Sequence, residues 1–459
     1  MKSILVLSWF YPPVNSSEGL ATWKLINSSR CEFLVFTQNR SAAWAYGVNA
    51  PLADRANVRT VYAQSADLSA WVEEGWQFFL RNRERICLVM TRSMPPECHA
   101  LGLRIKRAFP ELPWIASFGD PIRDNPYSHI DCSLYAYQSA LNRINRARRR
   151  DPAFLLRPDR VFRVLLWDLR HREAVRQRRR LAKLEAATLS QADLLIFNNP
   201  SQQRYMLRGG QQREKALVLP HCFDPQLYAG IAEPERAPGK KLRFVFTGQL
   251  SEIRSARPLL EALRRLLEDC PDLPARAEFR FYGDMPDADL ARICRWGLCD
   301  LVRFEKSLSY RESLREAVRA DWLIHIDANI GAVCGENVFF AGKLADYFGA
   351  KTPILAVTMQ HGAAADWLRE ANALVLSFSA NEIKQALYQI VYAGLTRKPN
   401  EAFLAGFSSE KTAETFDKEV QKLLNEHEND PLSDHRRRDL RPVRRRRAGR
   451  RRPDPREGA

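Results

Sequence analysis

Phe244-Val245-Phe246-Thr247-Gly248-Gln249-Leu250-Ser251-Glu252-Ile253-Arg254-Ser255 is the stretch in which a strand ends and a helix is about to begin. The apolar run reads as a strand over Leu242–Thr247, and Ala256–Leu267 reads as the helix that follows. Gly248 stands at the strand end, where a side chain would block close approach of a phosphate. Arg254 lies six residues on, within reach of the same space. A diphosphate placed there would receive charge-assisted hydrogen bonds. An isolated arginine at this spacing also fits a solvent-facing side chain.

The same alternation continues in both directions. After it come strands at Glu278–Tyr282, Leu301–Phe304, Trp322–Ile326 and Pro353–Val357, with helices between them and a last helix at Ser409–Asn425. Before it, Ser3–Leu7, Glu32–Phe36, Val58–Tyr62, Ile86–Met90, Trp114–Ser117, Leu194–Phe197 and Ala216–Leu219 read as strands. Several are continuous apolar runs, the pattern of parallel strands covered on both faces. A Pro, Gly and charge cluster at Ala232–Lys241 separates the two blocks. The reading is an α/β protein of two Rossmann-like, doubly wound domains facing a cleft, 1–231 and 242–400. The linker is 232–241, a C-terminal helix spans 401–427, and a basic helical insertion at 141–190 interrupts the first domain. Ligands of such sheets bind beyond the carboxyl ends of the strands.

The chain has 459 residues and a net charge of +17. The charge is concentrated, with 12 arginines against three acidic residues from 436 to 459 and 14 against four from 143 to 180. Without these two segments the remainder is near neutral, so the basic balance says nothing about the body of the fold. The tail 428–459 is almost free of apolar residues and reads as disordered. It lacks interleaved aromatics, which argues against specific nucleic-acid binding. In the first basic segment, Phe162, Leu165, Leu166 and Leu169 follow helical spacing, with arginines towards another face. Such a helix suits an anionic membrane surface, or packs its stripe on the fold and leaves its arginines solvated. Nine cysteines without a Cys-x-x-Cys pair fit a reducing cytoplasm, argue against a zinc site, and read mostly as buried thiols. No run of about 18 apolar residues offers a membrane span, and the apolar start reads as a buried strand rather than a leader.

Two other loops carry candidate chemistry. Pro12-Pro13-Val14-Asn15-Ser16-Ser17-Glu18-Gly19 joins the first strand to the first helix, and presents backbone N–H groups and a helix N-terminus, or is simply a tight βα turn. Ala341-Gly342 opens a short helix in which Lys343 and Asp346 are three residues apart. That helix start suits phosphate, and a carboxylate one turn on suits a ribose diol. The local alternative is an i,i+3 salt bridge.

Five ordered pieces resemble glycosyltransferase family 4, the retaining nucleotide-sugar glycosyltransferases of group 1 with the GT-B fold. Gly248-Gln249-Leu250 with Arg254 and Pro258-Leu259-Leu260-Glu261-Ala262 is similar to that family's Gly-Arg-Leu…Lys-Gly…Leu-Leu-x-Ala signature. Lys343-Leu344-Ala345-Asp346-Tyr347 through Pro353-Ile354-Leu355-Ala356 resembles its Ser-Lys-Leu-x-Glu/Asp-Tyr…Pro-Ile-Leu-Ala segment. Phe281-Tyr282-Gly283-Asp284, Trp114 to Asp120-Pro121, and Phe10-Tyr11-Pro12-Pro13…Glu18-Gly19 complete the likeness, which covers about residues 1–425.

The resemblance implies roles. Arg254, Lys343 and the backbone at Gly248, Gln249, Gly283 and Gly342 would face the donor diphosphate. Asp346 would hold the nucleotide ribose, and Phe304 would lie near the base. Glu18 and Gly19 would approach the donor phosphates or acceptor, and Asp120 would assist catalysis. The family typically uses no bound metal, and no cofactor is expected. The implied activity is transfer of a sugar from a nucleotide-diphosphate donor to a glycan or lipid-linked acceptor in surface polysaccharide synthesis. It would take place in the cytoplasm, peripheral to the inner face of the plasma membrane and docked through 143–180. A sugar-nucleotide epimerase of the same fold and a non-enzymatic polyanion-binding protein are the competing readings. The chain departs from the pattern at Gln249, where the family has Arg, at Gly119, where many members have His, and at Ala341-Gly342 for Pro-Ser. Val338 stands at the earlier acidic position, for which Glu336 would substitute only if the loop shifts.

Overall fold

The computed structural model describes residues 2–14, 16–39, 52–123, 125, 126, 176–232 and 239–428. The segment 143–175, including the apolar stripe from Phe162 to Leu169, lies outside the described residues, as do 233–238 of the linker and the tail after 428.

Each half of the chain winds around one all-parallel sheet. The first has seven strands: β1 (Ser3–Leu7), β2 (Phe33–Thr37), β3 (Val58–Tyr62), β4 (Ile86–Arg92), β5 (Trp114–Phe118), β6 (Leu194–Phe197) and β7 (Ala216–Val218), in the order β3-β2-β1-β4-β5-β6-β7. Helices α1 (Ser17–Ser28), α2 (Leu68–Asn82), α3 (Glu97–Ala108) and α4 (Pro200–Leu207) connect them, and residues 176–191 are helical. The central strands are buried along their length, which is why β2 and β5 are uninterrupted apolar or small-residue runs.

The second sheet has six strands in the order β10-β9-β8-β11-β12-β13, namely β8 (Leu242–Thr247), β9 (Ala277–Tyr282), β10 (Val302–Glu305), β11 (Trp322–Ile326), β12 (Ile354–Val357) and β13 (Leu374–Leu376). Its helices are α5 (Arg257–Asp269), α6 (Asp287–Arg295), α7 (Tyr310–Arg319), α8 (Gly342–Ala350), α9 (Ala363–Glu370) and α10 (Ala380–Val391). In both sheets the strand order reverses beside the first strand, so the crevices beyond the ends of β1 and β8 are switch points.

The last helix, α11 (Ser409–Glu428), returns to the first domain. Ala413, Phe416, Val420 and Leu423 join the core formed by Ile4, Trp23, Ile26 and Phe33. Ser28 Oγ donates to Ser409 Oγ at 2.7 Å, and Asp417 accepts from Ser29 and from the Arg30 N–H. Three side chains fix the loop before α8 from the other domain. Asn198 donates to Phe340 O at 3.1 Å, Asn199 to Val338 O at 2.9 Å, and Ser201 to Glu336 Oε2 at 2.9 Å. The two sheets are thereby held with their switch points facing each other.

The cysteines correct one expectation. Among the described residues only Cys98 and Cys222 are buried; Cys31, Cys87, Cys270 and Cys334 are half-buried, and Cys294 and Cys299 are exposed. No helix among the described residues is long and apolar enough to cross a membrane.

Candidate active site

A cavity of about 890 Å³ lies between the domains. Its lining includes Glu18, Asp120, Gly248, Gln249, Arg254, Gly342, Lys343 and Asp346, residues from opposite halves of the sequence.

The second domain supplies cations and backbone donors. Gly248 ends β8 at φ 117°, in the left-handed region, and Gly283 follows β9 at φ 139°. A Cβ on Gly283 would stand 1.9 Å from Gly248 O, so the two turns are stacked too closely for any side chain there. Across the turn, α8 begins at Gly342 without a side-chain cap. Its first residues, Gly342 and Lys343, line the same crevice, towards which the positive end of its dipole is directed. Lys343 lies over the Phe246 ring at 3.6 Å and donates to Thr247 O at 3.3 Å. Burial and the neighbouring Arg254 guanidinium push its ammonium well below the usual lysine range, against the pull of Asp327.

Asp327 anchors Arg254, with Oδ1 4.0 Å from Nη2. It is buried at the end of β11 and accepts from Asn337, Thr358 and the Ala328 N–H. Burial alone would raise its carboxyl. His325, Arg254 and the Ala328 N–H outweigh burial and hold it below the usual carboxylate range. The ionised Asp327 therefore aims a cation at the cleft.

The first domain supplies acids. Glu18 lies in the first turn of α1, capped by Ser16, and accepts from Arg92 Nε at 2.6 Å. Arg92 Nη1 donates to Ser117 Oγ at 2.9 Å. Asp120 follows β5 on a loop pinned by Glu185, whose Oε2 accepts from the N–H groups of Ile122 at 3.1 Å and Arg123 at 2.7 Å. Burial, reinforced by Glu18 and opposed by Arg254 and Arg92, pushes Asp120 up to about 7.

Asp346 bridges the halves. Its Oδ1 accepts from Lys24 Nζ and from Tyr310 OH, each at 2.8 Å. Burial and Asp346 hold the Tyr310 phenol well above its usual value, so it remains a donor. The local Lys343–Asp346 pairing that the spacing allowed is replaced by these two longer-range partnerships.

Three expected residues do not line the cavity. Gly19 packs against the Phe10–Tyr11 backbone, where a Cβ would stand 3.0 Å from Tyr11 N. Gly283 lies beneath Gly248, and Phe304 is an exposed residue of edge strand β10. Glu336 does not line it either; it pairs with Arg204 at 2.7 Å, while Val338 is buried. Sequence reasoning missed Lys24, Arg92, His221 and Asp327. His221 lines the cavity and stacks near Phe340. Burial, with Arg92 and Lys24 nearby, pushes it well below its usual range and keeps it neutral. Its only sequence signal is a ring nitrogen just beyond a short strand. Among the described residues no group of three or more His, Cys, Asp or Glu is placed to hold a metal.

No family model matches the chain, and no curated protein matches its sequence. Solved structures do match. Anabaena Alr3699/HepE in complex with UDP is 14% identical, with 92% of this chain and 100% of that chain covered and a TM-score of 0.57. An α,α-trehalose-phosphate synthase (UDP-forming) from Burkholderia vietnamiensis is 12% identical, with 93% and 100% covered and a TM-score of 0.61. The apo form of the lipopolysaccharide outer core galactosyltransferase WaaB is 10% identical, with 92% and 99% covered and a TM-score of 0.54. At such identities the likeness shows the fold, which is GT-B.

Proposed function

We propose that this chain is a retaining glycosyltransferase that moves a sugar from a nucleotide-diphosphate donor to a glycan or lipid-linked acceptor in surface polysaccharide biosynthesis. One observation carries the reading. Arg254, Lys343, the uncapped start of α8 and the open turn at Gly248 converge on one crevice of the second domain, opposite Glu18 and Asp120 of the first. Similar structures solved with UDP and with UDP-glucose support a nucleotide-sugar ligand.

Transfer forms the bond from the acceptor oxygen to the anomeric carbon on the face where the phosphate leaves. The bond from that carbon to the phosphate oxygen breaks, and the acceptor proton passes to the departing diphosphate. Arg254, Lys343 and the α8 dipole stabilise the charge that grows on this leaving group. Asp346 is the acceptor for the ribose hydroxyls once Lys24 yields its place. The basic segment 143–180 provides the affinity for an anionic membrane, tested by sedimentation with vesicles with and without anionic lipid.

Thermal-shift screening of the full chain against a panel of nucleotide sugars tests the donor half. One donor is expected to raise the melting temperature of the native protein, and to do so much less for Arg254→Ala. A panel that shifts neither protein contradicts the reading.

A further inference from the structure

Gly119 is a glycine whose φ lies outside the left-handed region. What it leaves out is volume. A Cβ at position 119 would stand 1.9 Å from Glu18 Oε1 and 2.4 Å from Glu18 Cδ. The carboxylate of Glu18, sent from the first turn of α1, thus occupies the place beside Asp120 that its own chain neighbour would otherwise fill.

The carboxylate is fixed there. Arg92 holds it at 2.6 Å, and the two side chains are only 8% and 13% exposed. Arg92 is itself tied to Ser117, and its Nη2 is a buried donor with no hydrogen-bond partner among the described residues. The Gly119 backbone is held from both sides, its N–H donating to Ser93 Oγ at 3.0 Å and its carbonyl accepting from Gln202 Nε2 at 3.1 Å. The Gly119 backbone is thus fixed, and the pairing with Arg92 holds the Glu18 carboxylate against it. Glu18 and Asp120 both face the cavity between the domains.

The geometry points to Glu18 as a positioning residue of the reacting centre: its carboxylate, clamped by Arg92 in the volume left by Gly119, sets the charge that Asp120 presents to a sugar hydroxyl in the cleft. Naming a sugar hydroxyl rests on the proposed function; the pairing of the two acids does not. The charged groups that act on Asp120 are Glu18 from α1, Arg92 from β4 and Arg254 from the loop after β8. Burial, reinforced by Glu18, lets Asp120 keep its proton to about pH 7. Asp120 then offers an O–H to a hydroxyl oxygen, and Glu18 remains an acceptor.

Two measurements on the full chain test this without any nucleotide. In protein labelled with ¹³C at the aspartate carboxyls, the Asp120 resonance is identified by its loss in Asp120→Asn. Its midpoint is expected near 7 in the native protein and lower by about one pH unit in Glu18→Gln. An unchanged midpoint in Glu18→Gln overturns the proposal. In the second, Gly119→Ala is expected to lower the melting temperature in the native background and to have little effect in Glu18→Ala. Strictly additive effects overturn the claim that Glu18 fills that volume. Failure of nucleotide sugars to bind would count against the transferase reading alone, because neither measurement uses them.

Discussion

Lys24, on the first helix of one domain, donates to Asp346, on a helix of the other, at 2.8 Å across 322 positions of sequence. Lys24 is nearly sealed from water and Asp346 only slightly less so, at 2% and 14% side-chain exposure. Removing one partner of a buried ion pair leaves the other uncompensated, at a cost of roughly 3–5 kcal/mol. Lys24→Met is therefore expected to destabilise the chain strongly, and Lys24→Met with Asp346→Leu to recover most of the loss. Urea unfolding of the three variants is the check; equal stability of Lys24→Met and the native protein would remove the pair from the account.

Lys343 is buried beside Arg254 and pushed well below the usual lysine range. A diphosphate seated there favours the ammonium form, so nucleotide binding should take up a proton. The sign follows: affinity falls as pH rises through the free-state value. Calorimetric titration with UDP in two buffers of different ionisation enthalpy reads the proton directly. Release of a proton on binding, or an affinity that does not fall as pH rises, would contradict the placement.

Asp120 and Glu185 are pushed up to about 7 and about 6. A buried acid whose native value lies above its unfolded one favours folding while protonated. The benefit is complete below about pH 4 and is lost as pH rises through 6 to 7. Asp120→Asn should therefore melt higher than the native protein at pH 8, by on the order of several degrees, and match it only below about pH 4. Calorimetric scans across that range decide the matter; an offset independent of pH would mean Asp120 is ionised throughout.

Glu185 anchors the Asp120 loop through two backbone N–H groups rather than touching the cleft contents. Glu185→Leu leaves those donors unpaired and frees the loop. Turnover is expected to fall roughly tenfold with UDP affinity unchanged, since misplacement of a reacting-centre group costs rate rather than donor binding. Steady-state kinetics alongside UDP calorimetry separates the two.

Much of this was legible in the residues, for physical reasons. Strands buried on both faces must be apolar throughout, so β2, β5 and β8 announced themselves. Glycines that end strands and a small-residue helix start leave room for a ligand to approach the backbone, and Gly248 and Gly342 line the cavity with charged residues near them. What stayed hidden depended on partners far away in the chain. Nothing local to Lys24 or Arg92 says that one meets Asp346 and the other Glu18. The apolar stripe of α11 fits either domain equally well, and only the fold sends Phe416 to Phe33. Phe304 lies outside the cavity lining. Its strand position was right, but β10 is an edge strand and its ring faces outward.

A structure of the full chain with a bound nucleoside diphosphate is the most direct test of the central claim. The account predicts the two phosphates over the Gly248 turn, hydrogen-bonded by Arg254 and by the first N–H groups of α8, with Lys343 within charge-pairing distance. A nucleotide found on another surface, or one that leaves Arg254 turned to Asp327 and the α8 terminus uncontacted, would contradict it.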